Sequence, residues 1–90
     1  MKKQLHLYYL GKVQGIGFRY TVADIANQQK VTGWVKNLGD GRVEVAAEAE
    51  EDILDNFQKL VNQHFSRYIK DVNIEWLPAS GEFRDFQIIF

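Results

Sequence analysis

Ninety residues, 46% of them hydrophobic and 13% aromatic, suffice for one compact domain spanning 1–90 and argue against a disordered chain. Eleven basic residues against twelve acidic ones leave a net charge of −1, without the bulk positive charge of a nucleic-acid coat or a membrane-surface helix. The absence of cysteine removes disulfide scaffolds, thiolate metal sites and cysteine nucleophiles, and no apolar run is long enough to cross a bilayer. A soluble, unprocessed protein of a reducing cytoplasm is expected.

The first predicted element is a strand, in which Leu5, Leu7 and Tyr9 alternate with His6, Tyr8 and Leu10 up to about Gly11. From Tyr20 to about Lys30 the pattern turns helical, with Val22, Ile25, Ala26 and Gln29 on one side. Gly33 opens a second strand, Trp34 to Leu38. Gly39-Asp40-Gly41 then signals a hairpin turn into a third strand on which Val43, Val45 and Ala47 alternate with charged residues. Glu50 to about Gln63 carries the clearest helical stripe, made by Ile53, Phe57, Leu60 and Val61, with acidic residues crowding its first turn. Asp71 to Trp76 is a fourth strand with Val72, Ile74 and Trp76 on one face, and Arg84 to Phe90 repeats the pattern as a final strand.

The order is β-α-β-β-α-β plus a last strand. Connection rules make this an α+β, ferredoxin-like sandwich: an antiparallel sheet of four to five strands, two helices on one face, the other face in water. That topology hosts many functions and decides none of them.

Chemistry concentrates in Gly11-Lys12-Val13-Gln14-Gly15-Ile16-Gly17-Phe18-Arg19, between the first strand and the first helix. Closely spaced glycines let backbone N–H groups turn inward around an anion, and the following helix aims its positive end at the same point. Arg19 adds a guanidinium fork suited to phosphate oxygens. The same residues serve equally as a glycine-rich turn with an arginine left in solvent. The loop is no Walker motif, because Phe18-Arg19 follows Gly17 where Lys-Ser/Thr would be needed, and Tyr20 stands where a dinucleotide fingerprint has its third glycine. Asn37, sharing a strand face with Val35, can hold a water and a substrate oxygen together. On the residues alone a hairpin-capping role for it is favoured.

Other candidates give bland readings. His6 and His64 lack a partner at metal-ligand spacing, and no metal site is expected. Glu48, Glu50, Glu51 and Asp52 form a solvated helix start rather than a calcium loop. Trp34 and Trp76 are packing residues, Trp34 near the open sheet face. RNA-binding domains use this strand order with aromatics on that face, but the third strand carries none.

Gly11-x-Val-Gln-Gly-Ile-Gly-Phe-Arg19 and Gly33-Trp-Val-Lys-Asn37, followed by Gly41-Arg-Val-Glu-Val45, resemble the two signatures of the acylphosphatases. The resemblance covers nearly the whole chain. It implies metal-free, cofactor-free hydrolysis of a carboxyl–phosphate anhydride to a carboxylate and inorganic phosphate, by a monomer without nucleic-acid or membrane partners. It also implies that Gln14, Gly15, Ile16, Gly17, Phe18 and Arg19 bind the phosphoryl group. Arg19 would be the phosphate-binding arginine and Asn37 the residue orienting the attacking water, with the substrate's own phosphate taking the proton. The alternative is a non-catalytic anion-binding domain of the same fold. Departures from the family pattern are Ile16 for valine, Lys30 at a helix-ending glycine position, Ala49 for glycine, and a rebuilt turn between Gln63 and Tyr68.

Overall fold

Alternation puts Leu5, Leu7 and Tyr9 on one face of β1 (Lys2–Gly11). All three are fully buried in the computed structural model, which describes residues 1–90. The remaining elements are α1 (Phe18–Gln29), β2 (Thr32–Asn37), β3 (Val43–Glu50), α2 (Glu51–His64), β4 (Ile69–Pro78) and β5 (Phe86–Ile89). They form one five-stranded sheet in the order β4-β1-β3-β2-β5. The ferredoxin-like α+β architecture is as expected, with one difference. β5 pairs parallel to β2, so the sheet is mixed rather than wholly antiparallel.

Both helices pack on the face bearing Leu5, Leu7, Tyr9, Val35, Val43, Val45 and Ala47, with α1 over β2 and β5 and α2 over β3 and β1. The inward residues of α2 are Leu54, Phe57 and Val61. The expected stripe shifts by one position, because Ile53 and Leu54 are adjacent and both apolar, and only the sheet decides which points inward. Edge strand β4 lies beyond the footprint of α2. Ile74 and Trp76 consequently remain 49% and 39% exposed, although packing was expected for Trp76.

The α1 helix begins two residues earlier than its pattern indicates, with Gly17 as N-cap in the left-handed region. At its other end Lys30 also adopts φ 59°, and Val31 N–H donates to the Ala26 carbonyl at 2.8 Å, closing a Schellman-type stop. A lysine in that conformation costs about 1 kcal/mol relative to glycine.

Because β4 and β5 occupy opposite edges, residues 79–85 must cross the whole end of the sheet. Four strand gaps come to ~19 Å, close to the ~23 Å that a seven-residue segment can reach when extended. The crossing is pinned halfway by Glu48 on the central strand. Its carboxylate accepts from Ser80 N–H (2.7 Å), the Ser80 hydroxyl (2.8 Å), Gly81 N–H (3.1 Å) and the Gln4 amide (2.7 Å). Glu48 is therefore a buried clamp and not part of the solvated helix start, a role for which local sequence holds no signal.

Burial alone would raise the pKa of Glu48, but its hydrogen bonds, led by Ser80 N–H and the Gln4 amide, outweigh burial and hold it below the usual carboxylate value. A folded pKa below the unfolded one gives stability that is full above about pH 4.5 and drains as pH falls through the folded pKa. Glu48→Ala is expected to cost ~2–3 kcal/mol, because it removes together four hydrogen bonds to a charged acceptor, three of them holding the crossing segment. Thermal melts across pH 3–7 check this. The acid-dependent fall in melting temperature should be shallower in the variant than in the unaltered chain.

Candidate active site

The segment after β1 is fastened at both ends. Lys12 N–H donates to the Tyr68 carbonyl at 2.9 Å, and the Val13 side chain is fully buried. At the far end Phe18 is buried between Tyr9 and Phe65, with ring centres 5.1 and 4.4 Å away. Phe65 belongs to the turn that departs from the family pattern. That turn packs an aromatic under the loop and so supports it from below.

Between these anchors Gly15 and Gly17 both adopt φ 77°. A Cβ at either would meet open space, so conformation and not room demands glycine there. Two left-handed residues separated by one position turn successive N–H groups to one side. From Gln14 to Tyr20 no backbone N–H donates to another backbone group or to a side chain, and α1 has no side-chain cap. The positive end of the helix is thus left open at the loop.

These groups surround a cavity of about 70 Å³ lined by Val13, Gly15, Gly17, Phe18, Arg19, Tyr20 and Asn37. At ~30 Å³ per liquid water it admits a group of a few heavy atoms, and it falls well short of a nucleotide or drug-sized site. Arg19 forms no ion pair, and its guanidinium lies 4.9 Å from the centre of the Phe90 ring. No carboxylate or imidazole lines the cavity. Asn37 ends β2 on the helix-bearing face, opposite Val43, and its Oδ1 is buried without a hydrogen-bond donor from the protein. Two roomier clefts, of about 380 and 500 Å³, contain neither loop residue nor Asn37.

The structure therefore brings Arg19 and Asn37, far apart in sequence, to one cavity with Gly15, Gly17 and Phe18. Gln14 and Ile16 do not line it. Ile16 points outward, and the Gln14 side chain turns to the β2–β3 hairpin. Asn37 faces the cavity and makes no side-chain hydrogen bond that would cap the hairpin. Phe90 under Arg19 escaped sequence reasoning, since a C-terminal residue continuing a strand pattern carries no sign of which cation will lie over it.

A family model for acylphosphatase matches residues 5–88. The chain belongs to the acylphosphatase family. An acylphosphatase of Bacillus velezensis is 43% identical over 89 residues, covering 97% of this chain and 98% of the relative. One of Caldanaerobacter subterraneus subsp. tengcongensis is 39% identical over 90 residues, covering 98% and 99%. The crystal structure of acylphosphatase from Bacillus subtilis superimposes with a TM-score of 0.90 at 37% identity, with both chains fully covered. The protein is an enzyme of this type, a hydrolase of the carboxyl–phosphate bond.

On the opposite sheet face of this acylphosphatase, His6 meets Glu44 at 2.6 Å, a carboxylate partner supplied by the neighbouring strand. Arg42 covers the Tyr8 ring at 5.0 Å and Lys36 the Trp34 ring at 5.1 Å. Those aromatics are capped by the chain's own cations instead of being presented as a platform for bases.

Proposed function

We propose that the chain hydrolyses small acyl phosphates with Arg19 holding the phosphoryl group and Asn37 holding the attacking water. The observation that carries this reading is the run of unpartnered N–H groups from Gln14 to Tyr20, around a cavity that also contains Arg19 and Asn37. The N–H array and the guanidinium neutralise the phosphoryl oxygens, and their benefit grows as charge spreads over those oxygens in the transition state. The Oδ1 of Asn37 accepts a hydrogen bond from water and aligns its oxygen opposite the leaving carboxylate.

A bond forms from the water oxygen to phosphorus while the phosphorus–oxygen bond to the acyl group breaks. The electron pair leaves with the carboxylate, and the water proton passes to a phosphate oxygen. A carboxylate is a good leaving group, so the chemistry asks for neither a strong protein acid nor a metal ion. The cavity grips the phosphoryl group and leaves the acyl part outside, which favours breadth in the acyl chain. The chemistry is also complete within one chain, which supports action as a single-domain monomer without a cofactor. A cysteine-free sequence suits the cytoplasm, and no helix is long and apolar enough to cross a membrane.

The test is the ultraviolet absorbance change of benzoyl phosphate hydrolysis, followed with and without EDTA. Turnover well above the spontaneous rate, unaffected by the chelator, is expected. Loss of activity with EDTA would overturn the metal-free chemistry. Phosphate-dependent thermal stabilisation without turnover would favour a non-catalytic anion-binding domain.

A further inference from the structure

The side-chain amide of Gln14 spends both its N–H bonds on one structural task. It donates to the Leu38 carbonyl at 2.8 Å and to the Arg42 carbonyl at 3.0 Å. Those two carbonyls also close the β2–β3 turn. Leu38 accepts from Gly41 N–H at 3.2 Å, and Arg42 accepts from Leu38 N–H at 2.8 Å. Asp40 adds its carboxylate to Arg42 N–H (3.1 Å) and Nε (2.8 Å), contacts that lower its pKa and keep it ionised. Leu38 is the residue immediately after Asn37. The strut from Gln14 thus reaches the backbone next to the asparagine, from the loop residue that directly precedes the cavity-lining Gly15.

We infer that the Gln14 side chain is a positioning residue that locks the phosphate loop to the end of β2 and so fixes Asn37, and its water, relative to the phosphoryl group. The inference rests on the reading of Asn37 as the water-holding residue. The geometric need is plain. Loop and hairpin are separate segments, and the Asn37 Oδ1 takes no hydrogen bond from the protein to orient it. A displacement of about 1 Å between water and phosphorus is enough to cost a hundredfold in rate. The amide is suited to this task because it alone offers two donors in one plane at that reach, matched to two carbonyl oxygens.

The consequence separates turnover from binding. The N–H groups and Arg19 grip phosphate through their own loop and do not need the hairpin. Gln14→Met keeps volume and removes both donors, and Gln14→Leu repeats the loss with a different shape. In each, kcat for benzoyl phosphate should fall ~10–100-fold, while competitive inhibition by inorganic phosphate stays within about threefold. Melting temperature should drop by about 10 °C with the fold retained, the size expected for the loss of two part-buried hydrogen bonds in a domain of this length.

The discriminating measurement is a double-mutant cycle with Asn37→Ala. If Gln14 acts through Asn37, then Gln14→Met in the Asn37→Ala background lowers kcat by less than about twofold. An undiminished second loss in that background overturns the inference, as does a parallel loss of phosphate binding and turnover in Gln14→Met. Unfolding of both single variants overturns it too, since a residue that merely holds the fold would behave so. Failure of the underlying reading looks different, since Asn37→Ala alone would then retain full turnover.

Discussion

Arg19→Ala is expected to lower kcat/KM for benzoyl phosphate by about 10³-fold or more and to abolish competitive inhibition by phosphate. Arg19 is the sole cation among the cavity-lining residues and has no carboxylate partner, so nothing else replaces its charge. Its guanidinium is held over the Phe90 ring, which orients the planar fork without neutralising it. Arg19→Lys should recover little, because an ammonium on a flexible stem cannot present two parallel donors or stack on the ring in the same way. Steady-state kinetics with phosphate as inhibitor decide the matter. Near-normal values in either variant would remove Arg19 from the site. The fold itself should be indifferent, since the side chain is partly exposed and carries no ion pair, and melting curves of the variants should overlay that of the unaltered chain.

Asn37→Ala separates the two halves of the chemistry. Loss of the group that holds water should reduce kcat by ~10²–10³-fold, the scale of one preorganised polar contact at a reacting centre. Phosphate inhibition should remain within about threefold, because the cradle and Arg19 are intact. A second signature comes from the buried Oδ1, which receives no donor from the protein and is therefore kept at a cost to stability. Removing it should leave stability unchanged or raise it by ~1 kcal/mol. A residue capping the hairpin would behave in the opposite way, its loss lowering the melting temperature and sparing kcat. Asn37→Asp adds a charge beside the phosphoryl oxygens, so both binding and turnover should fall. If Asn37→Ala weakened phosphate binding as much as turnover, Asn37 would belong to the cradle and not to the water.

Alternation and helical periodicity were enough to outline every strand and both helices, because β1 and β2 bury one side only and their buried residues recur at every second position. Val43, Val45 and Ala47 do the same on β3, whose Ala46 and Glu48 are buried on its other face as well. Boundaries slipped where the cause was conformational. The start of α1 depends on Gly17 adopting a left-handed cap, which composition allows and does not require. The site's loop stood out because two glycines and an arginine fall together in the chain. Asn37 was ambiguous for the opposite reason. Its role depends on a cavity whose other wall lies in the loop before α1.

What the sequence determined by itself was the list of parts: alternating strands, a glycine-bearing loop before a helix, one arginine at its start, and the signatures that mark the family. The tertiary structure alone decided which parts meet. It set β5 parallel beside β2, drew residues 79–85 across the sheet end onto Glu48, seated Phe90 under Arg19, and turned the Gln14 amide onto the turn beyond Asn37. The physical reason is that local pattern reports how each residue meets its own strand or helix, whereas these contacts depend on strand order and register. Those are fixed only when the whole sheet closes around its core.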